Sequence, residues 1–556
     1  MATRGKLVVG EPYFDPGTPI ALDRKALRGA ERGELAVVTS GRGRAKVERV
    51  LGRADRIEVV LEGLLVERGA RQKFEPFEAP EPTTEGRTDL RDLPTFTIDP
   101  DTAKDFDDAI SVVREGDGVR AWVHIADVSH FVTAGSQLDR GAAGRAFSIY
   151  VPGLVAPMLP PELSNDLCSL RPDVERLCVT VEFPPGGQPN FYRSAIRSDA
   201  RLTYGQAQRR EVPADVAGEL ELAAAYSDDL RRKRFARGAL RVERPELEFE
   251  FDGEGGVAAA TWQGEPESHA LVEELMIVAN EAVAGLLSSR RREALYRVHE
   301  RPDPQAVQLL LAKLADLDVP TPPAPAPEDL TPAGAARLAA ETSERVTDYV
   351  RRSDRGREAF PALVLRSLKQ ARYDPRNLGH SGLASPAYCH FTSPIRRYPD
   401  LVVHRALLHE LGASVEAAPQ DLGDLAEHTS AREREAAEIE YQADDICLAW
   451  LLEATLTERG WEETTFEGEI IGVIPSGLFA RFGDVFEGYL PARRLAGDYF
   501  ELNTLGTALT GRRGGRTYRL GDPIEVVVEE IRRSEGKVEL SPAEGHGRSL
   551  RRRSSR

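Results

Sequence analysis

Three carboxylates stand within four positions of this chain, at Asp105, Asp107 and Asp108, and Asp99 and Asp101 lead into them along an extended, Pro-broken approach. Unpaired carboxylates this close repel, and gathering them costs free energy unless a cation neutralises them. Magnesium and manganese take hard oxygen ligands, which makes the cluster a candidate divalent-metal site. A solvated acidic turn is the plain alternative for any acidic run. Calcium in an EF-hand loop fails on spacing: counted from Asp99, the chain has Ala103, then Lys104 where the loop needs Gly, and Ile110 where it needs Glu. The flanks argue against a merely solvated turn. Ile110, Val112 and Val113 follow at once, and residues 121–128 read as a second buried strand after a Gly-Asp-Gly turn. The carboxylates are thus expected at the root of a hairpin.

A second dense stretch runs over residues 388–405. Ser393-Pro394 bends the chain, and Arg396 and Arg397 stand just before a helical run. Guanidinium groups at a helix start oppose the dipole. An anionic partner is therefore expected, either a phosphate gripped bidentately or an internal carboxylate such as Asp400. Tyr150 lies beside a Val-Pro-Gly turn, which favours an exposed ring. His124, His130 and His299 read as packed or surface histidines. No Ser-His-Asp or Cys-His arrangement stands out. Carboxylates, arginine and an exposed ring suit phosphodiester hydrolysis, which needs an activated water, a neutralised phosphate and an assisted leaving oxygen. Two metal ions about 3.5–4 Å apart serve all three needs.

The elements around these residues divide the chain into four stretches. Residues 1–80 carry short β-branched runs with Gly-rich turns, the pattern of a small β domain of cold-shock or OB type, although residues 57–66 suit a helix as well as a strand. A Pro-rich linker follows at 74–85. Residues 81–455 mix strands and helices, with helical periodicity at 269–287, 401–411 and 422–456. Residues 464–541 alternate as five strands with Gly turns, a barrel pattern in which Phe479, Phe482, Phe486 and Tyr489 lie near Arg481 and Arg493. Phe479 and Arg481 share one face, and Ala480 and Phe482 the other. Residues 545–556 form a basic tail expected to be disordered.

The totals set the class. A chain of 556 residues with 41% hydrophobic content can bury several cores. No window offers ~20 uninterrupted apolar residues and the N-terminus has no apolar signal core, so a soluble cytoplasmic protein without membrane contact is expected. Four scattered cysteines without a CxxC pair argue against a zinc ribbon and a disulfide scaffold and suit a reducing compartment. The net charge of -17 argues mildly against nucleic acid, yet it hides basic islands at 42–46, 231–234, 290–292, 396–397 and 551–553.

Taken in order, four motifs resemble the ribonuclease II / ribonuclease R family of 3′→5′ exoribonucleases. They are Thr-Ile-Asp…Lys-Asp-Phe-Asp-Asp-Ala (97–109), Tyr-Val-Pro-Gly…Met-Leu-Pro-Pro-Glu-Leu-Ser-Asn-Asp-Leu-Cys-Ser-Leu-Arg-Pro (150–172), Val-Glu-Glu-Leu-Met-Ile-Val-Ala-Asn-Glu (272–281) and His-Phe-Thr-Ser-Pro-Ile-Arg-Arg-Tyr-Pro-Asp (390–400). The resemblance implies an α+β catalytic RNB-type domain flanked by small OB-like barrels, the C-terminal one of S1 type. Family members commonly carry two cold-shock-like barrels at the N-terminus, where this chain has room for roughly one. The resemblance also implies a magnesium-dependent enzyme, with manganese an alternative, that degrades single-stranded RNA processively to nucleoside 5′-monophosphates. It assigns Asp99, Asp105, Asp107 and Asp108 to the metal, Asp107 and Arg396 to catalysis, Tyr150 to the 3′-terminal nucleotide and Arg396 to the scissile phosphate, with Arg397 beside it on the RNA side. A monomer is expected. The competing reading is a catalytically silent RNA-binding protein of the same fold.

Overall fold

The strands predicted around the carboxylates form the middle of one sheet. The structure of the protein is a computed structural model that describes residues 2–4, 7–15, 17–39, 44–70, 73–241, 245–264, 267–414, 421–461, 464–495 and 497–544. The hairpin pairs Asp108–Glu115 with Gly118–Ala126, setting Asp108 opposite Ile125. Across the seven-stranded sheet the order is Ala200–Thr203, Phe96–Asp99, Asp108–Glu115, Gly118–Ala126, Glu175–Phe183, Asn190–Arg197 and Thr88–Asp89. The outermost pairing at each edge is parallel, and one of these sets Thr203 beside Asp99.

Alternation along the hairpin feeds two cores. Ile110, Val112, Val123 and Ile125 pack with Leu220 of the helix Ala217–Ala236 and with Leu271 and Leu275 of the helix Glu267–Ser289. Ala109 and Ala126 face the other way and join Phe106, Met158, Leu163 and Ile446. Burying each large aliphatic side chain contributes ~1.5–3 kcal/mol, so the hairpin root is held from both sides. His124 sits between Ser111 Oγ at 3.1 Å and Thr180 Oγ1 at 2.9 Å, and burial pushes its imidazole down to about 3. It is a satisfied core histidine.

The N-terminal region is built of short strands followed by one helix. Among the described residues its strands form a three-stranded sheet and the hairpin Glu34–Thr39 with Lys46–Arg53, tied together where Leu22 bridges Ala45. The next run is the helix Ile57–Glu67, not a strand. Ile57, Val60, Leu61, Leu64 and Leu65 are its buried face, the i, i+3, i+4, i+7, i+8 stripe of a helix against a core.

At the other end, Phe466–Ile474, Gly477–Phe482, Phe486–Pro491, Lys537–Pro542 and Pro523–Arg532 make a closed five-stranded barrel. Ala480 and Phe482 point into it, while Phe479 is 41% exposed. Arg481 on the outer face is paired with Glu358 and Glu487. Gly488 is needed for strand approach, since a Cβ there would come 2.7 Å from Leu540 Cγ. The helix Leu422–Arg459 links barrel and sheet: Ile439, Ala443 and Ile446 pack under the sheet, and Leu452 and Leu456 enter the barrel core. No helix among the described residues is long and apolar enough to cross a membrane. The basic islands at 42–43 and 551–553, and the whole stretch 545–556, lie outside the described residues.

Candidate active site

The loop between Asp99, which ends its strand, and Asp108, which begins the next, is braced from below. Phe106 N donates to Ser169 Oγ at 3.0 Å, Ser169 Oγ donates to Lys104 O at 2.8 Å, and Leu170 N donates to Phe106 O at 2.9 Å. Ala126 N donates to Asp107 O at 2.9 Å. The stretch 150–172 thus has a physical role: its end pins the carboxylate loop.

Asp107 is 4% exposed. Its Oδ1 accepts from Ile395 N at 2.8 Å. Its Oδ2 accepts no hydrogen bond and lies 3.7 Å from Arg396 Nε. Burial drives its carboxyl well above the usual range, and Arg396 offsets only part of this. Asp99 is pushed up to about 7 by burial and then by the charge of Asp108, and its Oδ2 also lacks a donor. Burial raises Asp108 to about 6 against the pull of Arg396 and Arg397. Asp105 accepts from Tyr150 OH at 2.5 Å. Asp101 is exposed.

The arginine motif packs against this cluster and divides its two guanidiniums. Arg397 donates to Asp400 through Nε at 3.0 Å and Nη2 at 2.8 Å, and Asp400 also accepts from Ser393 N at 2.8 Å. Asp400 lies in the first turn of the helix Tyr398–Glu410, where a carboxylate suits the dipole. The fork of Arg397, expected on the RNA side, is filled by this internal carboxylate, and its side chain stays 18% exposed. Arg396 keeps a side chain 45% exposed, held at Ser393 Oγ by Nη2 at 3.1 Å.

Tyr150 sits in the short strand Ile149–Val151, 37% exposed. Its backbone N donates to Glu440 Oε1 at 2.8 Å. The segment before it is tied to the arginines, because Ser148 N donates to Arg396 O at 2.9 Å and Phe147 bridges Arg397. Sequence reasoning missed two residues here. Glu440 comes from the helix Leu422–Arg459, a separation that no local pattern encodes. Tyr204 follows Thr203, the strand partner of Asp99, and burial with the charges of Asp108 and Asp99 raises its hydroxyl. Its one local signal is the capping box that Thr203 forms with Gln206.

Among the described residues no three His, Cys, Asp or Glu side chains already converge as in a closed metal centre. The donor set nevertheless fits a hard divalent ion. Asp99 and Asp107 each keep a buried carboxylate oxygen without a donor, beside two further aspartates. Magnesium in particular keeps several waters and uses one or two carboxylates together with substrate phosphates.

Comparison with known proteins gives the same two regions. Residues 87–413 match the RNB domain, and residues 462–542 match the S1 RNA binding domain. The chain is 38% identical over 492 residues to ribonuclease R of Escherichia coli (strain K12), covering 84% of this chain and 58% of that protein. It thus spans less than two thirds of that relative's length. The structure of Mycoplasma genitalium RNase R in complex with ribose methylated single-stranded RNA superposes with a TM-score of 0.84 at 26% identity, over 96% of this chain and 88% of that one. Yeast Ssd1, a pseudonuclease, shares the fold at 18% identity and a TM-score of 0.65, over 92% of this chain and 68% of that one.

Proposed function

The chain belongs to the RNB-domain family, and from that premise we propose that it is a 3′→5′ exoribonuclease. It hydrolyses single-stranded RNA processively to nucleoside 5′-monophosphates with magnesium, or with manganese in its place, as a monomer in the cytoplasm. Asp99, Asp105, Asp107 and Asp108 would hold the divalent ions, which when bound activate the attacking water and neutralise the scissile phosphate.

The chain's own residues do the rest. Arg396, half exposed and 3.7 Å from Asp107, takes the non-bridging phosphate oxygens. Such a preorganised donor is worth on the order of 10²–10³ in rate. Arg397 and Asp400 lock the turn that presents Arg396, so Arg397 acts as a positioning residue. Tyr150 is held through its hydroxyl by Asp105, which leaves its ring to stack on the terminal base. Glu440 fixes the backbone of that tyrosine.

The observation that carries this reading is Asp107: a buried carboxylate with one oxygen lacking a donor, facing a half-exposed arginine. The competing reading is a silent RNA-binding protein of the same fold, a fold that the yeast pseudonuclease shares. End-labelled oligo(A) separates the two. With magnesium the protein shortens it to mononucleotide, and with EDTA it binds without shortening. An oligomer that is bound but stays intact in magnesium makes the silent reading correct. Cleavage of a circular RNA would overturn the exonucleolytic mode.

A further inference from the structure

Behind the arginine motif lies a second concave site that the proposed chemistry does not use. It is a cavity of 1620 Å³ between the helix Ala217–Ala236, the helix Leu422–Arg459 and the loop carrying His380, Tyr388 and His390. A small-molecule pocket usually measures about 300–1,000 Å³, so this one has room for a nucleotide with its water. Although the chain as a whole is acidic, basic side chains outnumber acidic ones on this lining by seven to three. Four of the seven are satisfied inside the protein: Arg232, Arg234, Arg297 and Lys369 pair with Asp229, Glu274, Glu433 and Glu300. Arg231, Arg241 and Arg434 have no ion-pair partner among the described residues.

Two of these unpaired arginines surround an aromatic ring. The guanidiniums of Arg231, Arg234 and Arg241 lie 5.8, 4.8 and 4.8 Å from the Phe235 ring centre, and Phe235 lines the cavity. From this rim a row of rings runs inward along the wall. His299 meets His380 at 5.1 Å, His380 meets Tyr388 at 5.2 Å, and Tyr388 meets His390 at 5.9 Å. Burial lowers all three imidazoles, His380 to about 3, so the ring wall is neutral and the unpaired positive charge lies on the arginines. Neutral rings suit a base face, and unpaired guanidiniums suit a phosphate.

The inner end of the row abuts the catalytic segment. His390 Nδ1 and Tyr373 OH are 2.7 Å apart, and the Tyr373 ring lies 6.3 Å from that of Phe147. Phe147 is bridged to Arg397 and stands three residues before Tyr150. Two rings, Tyr373 and Phe147, therefore separate the cavity wall from the strand that carries the stacking tyrosine.

We propose that this cavity is a nucleoside 5′-monophosphate site, with the phosphate on Arg231 and Arg241 and the base along the ring wall, and that it takes up product leaving the catalytic carboxylates. The assignment of the ligand as product rests on the exoribonuclease reading. Its chemistry, a phosphate monoester joined to an aromatic base, rests on the cavity alone.

The test is calorimetric titration of AMP into the full chain in EDTA, so that no divalent ion recruits phosphate to the aspartates. Wild type and Asp107→Asn bind AMP alike, within twofold. Arg231→Glu/Arg241→Glu binds at least tenfold more weakly, and Arg231→Gln/Arg241→Gln is also weakened. Arg241 is exposed and Arg231 half-buried, and circular dichroism checks that each variant keeps the fold. Absent AMP binding, or binding that ignores both arginine variants, overturns the proposal. So does AMP that is fully displaced by saturating oligo(A) on Asp107→Asn, because the cavity would then be part of the strand's own path. Shortening of oligo(A) in magnesium is followed on the same wild-type preparation. Turnover with arginine-insensitive AMP binding sinks this inference alone. No turnover sinks the exoribonuclease reading, and with it the assignment of the ligand as product.

Discussion

Asp107 and Asp127 flank the paired strands Asp108–Glu115 and Gly118–Ala126, linked through Ala126, whose N–H donates to Asp107 O, and they are 4% and 1% exposed. Their surroundings differ completely. Asp127 accepts from Arg87 Nη2 at 2.7 Å and Ser129 Oγ at 2.5 Å, with Arg193 Nε at 3.0 Å. Burial pushes its carboxyl up, but Arg193 and Arg87 bring it below the ordinary carboxylate value. Asp107 has one backbone donor and an arginine 3.7 Å away, and its carboxyl stays raised. A fold that satisfies one buried aspartate fully can leave the next one short only at a cost in stability. The shortfall at Asp107 is what a bound cation would relieve.

Exchanging each acid for its amide breaks this comparison most sharply. Asp107→Asn is expected to lower kcat by at least ~10³-fold while RNA binding persists, since charge on the proposed metal face is lost and the groove is intact. Asp127→Asn is expected to retain turnover but to lose ~3–5 kcal/mol of stability, because it strands buried Arg87. Denaturant melts and steady-state kinetics on both variants check this. A turnover loss in Asp127→Asn equal to that in Asp107→Asn would erase the distinction.

The adjacent arginines repeat the contrast at smaller scale. Arg396→Ala should cost on the order of 10²–10³ in kcat with little change in melting temperature. Arg397→Ala should mainly destabilise, since Asp400 is left buried without its partner. Tyr150→Ala should leave a longer limit product, because the terminal base loses stacking worth ~1–3 kcal/mol. An unchanged end product on a sequencing gel would refute that role.

The smallest effect concerns pH in the absence of metal. The folded-state values of Asp99, about 7, and Asp108, about 6, exceed the unfolded value. Their stabilising contribution is therefore full below about pH 4 and is lost as pH rises through 6 to 7. In EDTA, Asp99→Asn should gain on wild type between pH 5 and 8, by on the order of 5 °C in melting temperature. A gap that does not widen with pH would mean that Asp99 is not held in the environment described.

Much of this could be read from the chain because it is local. The carboxylate hairpin declares itself through Ile110, Val112 and the turn at 116–118, and the barrel through its alternating strands. The helix Ile57–Glu67 was ambiguous because its apolar residues nearly fill the sequence, and only burial separates Val60 from Val59. From the chain alone Arg397 suits a phosphate or Asp400 equally, and only the fold brings its fork onto Asp400. Glu440 and the Ser169 brace lie 290 and 63 residues from their partners in the chain, contacts that the fold makes and no spacing encodes.

Manganese binding, followed by electron paramagnetic resonance on wild type and Asp107→Asn, reaches the centre of the account without relying on turnover. Saturable binding by wild type that falls at least tenfold in the variant is the expected result. Equal binding by both proteins, or none by wild type, would contradict it.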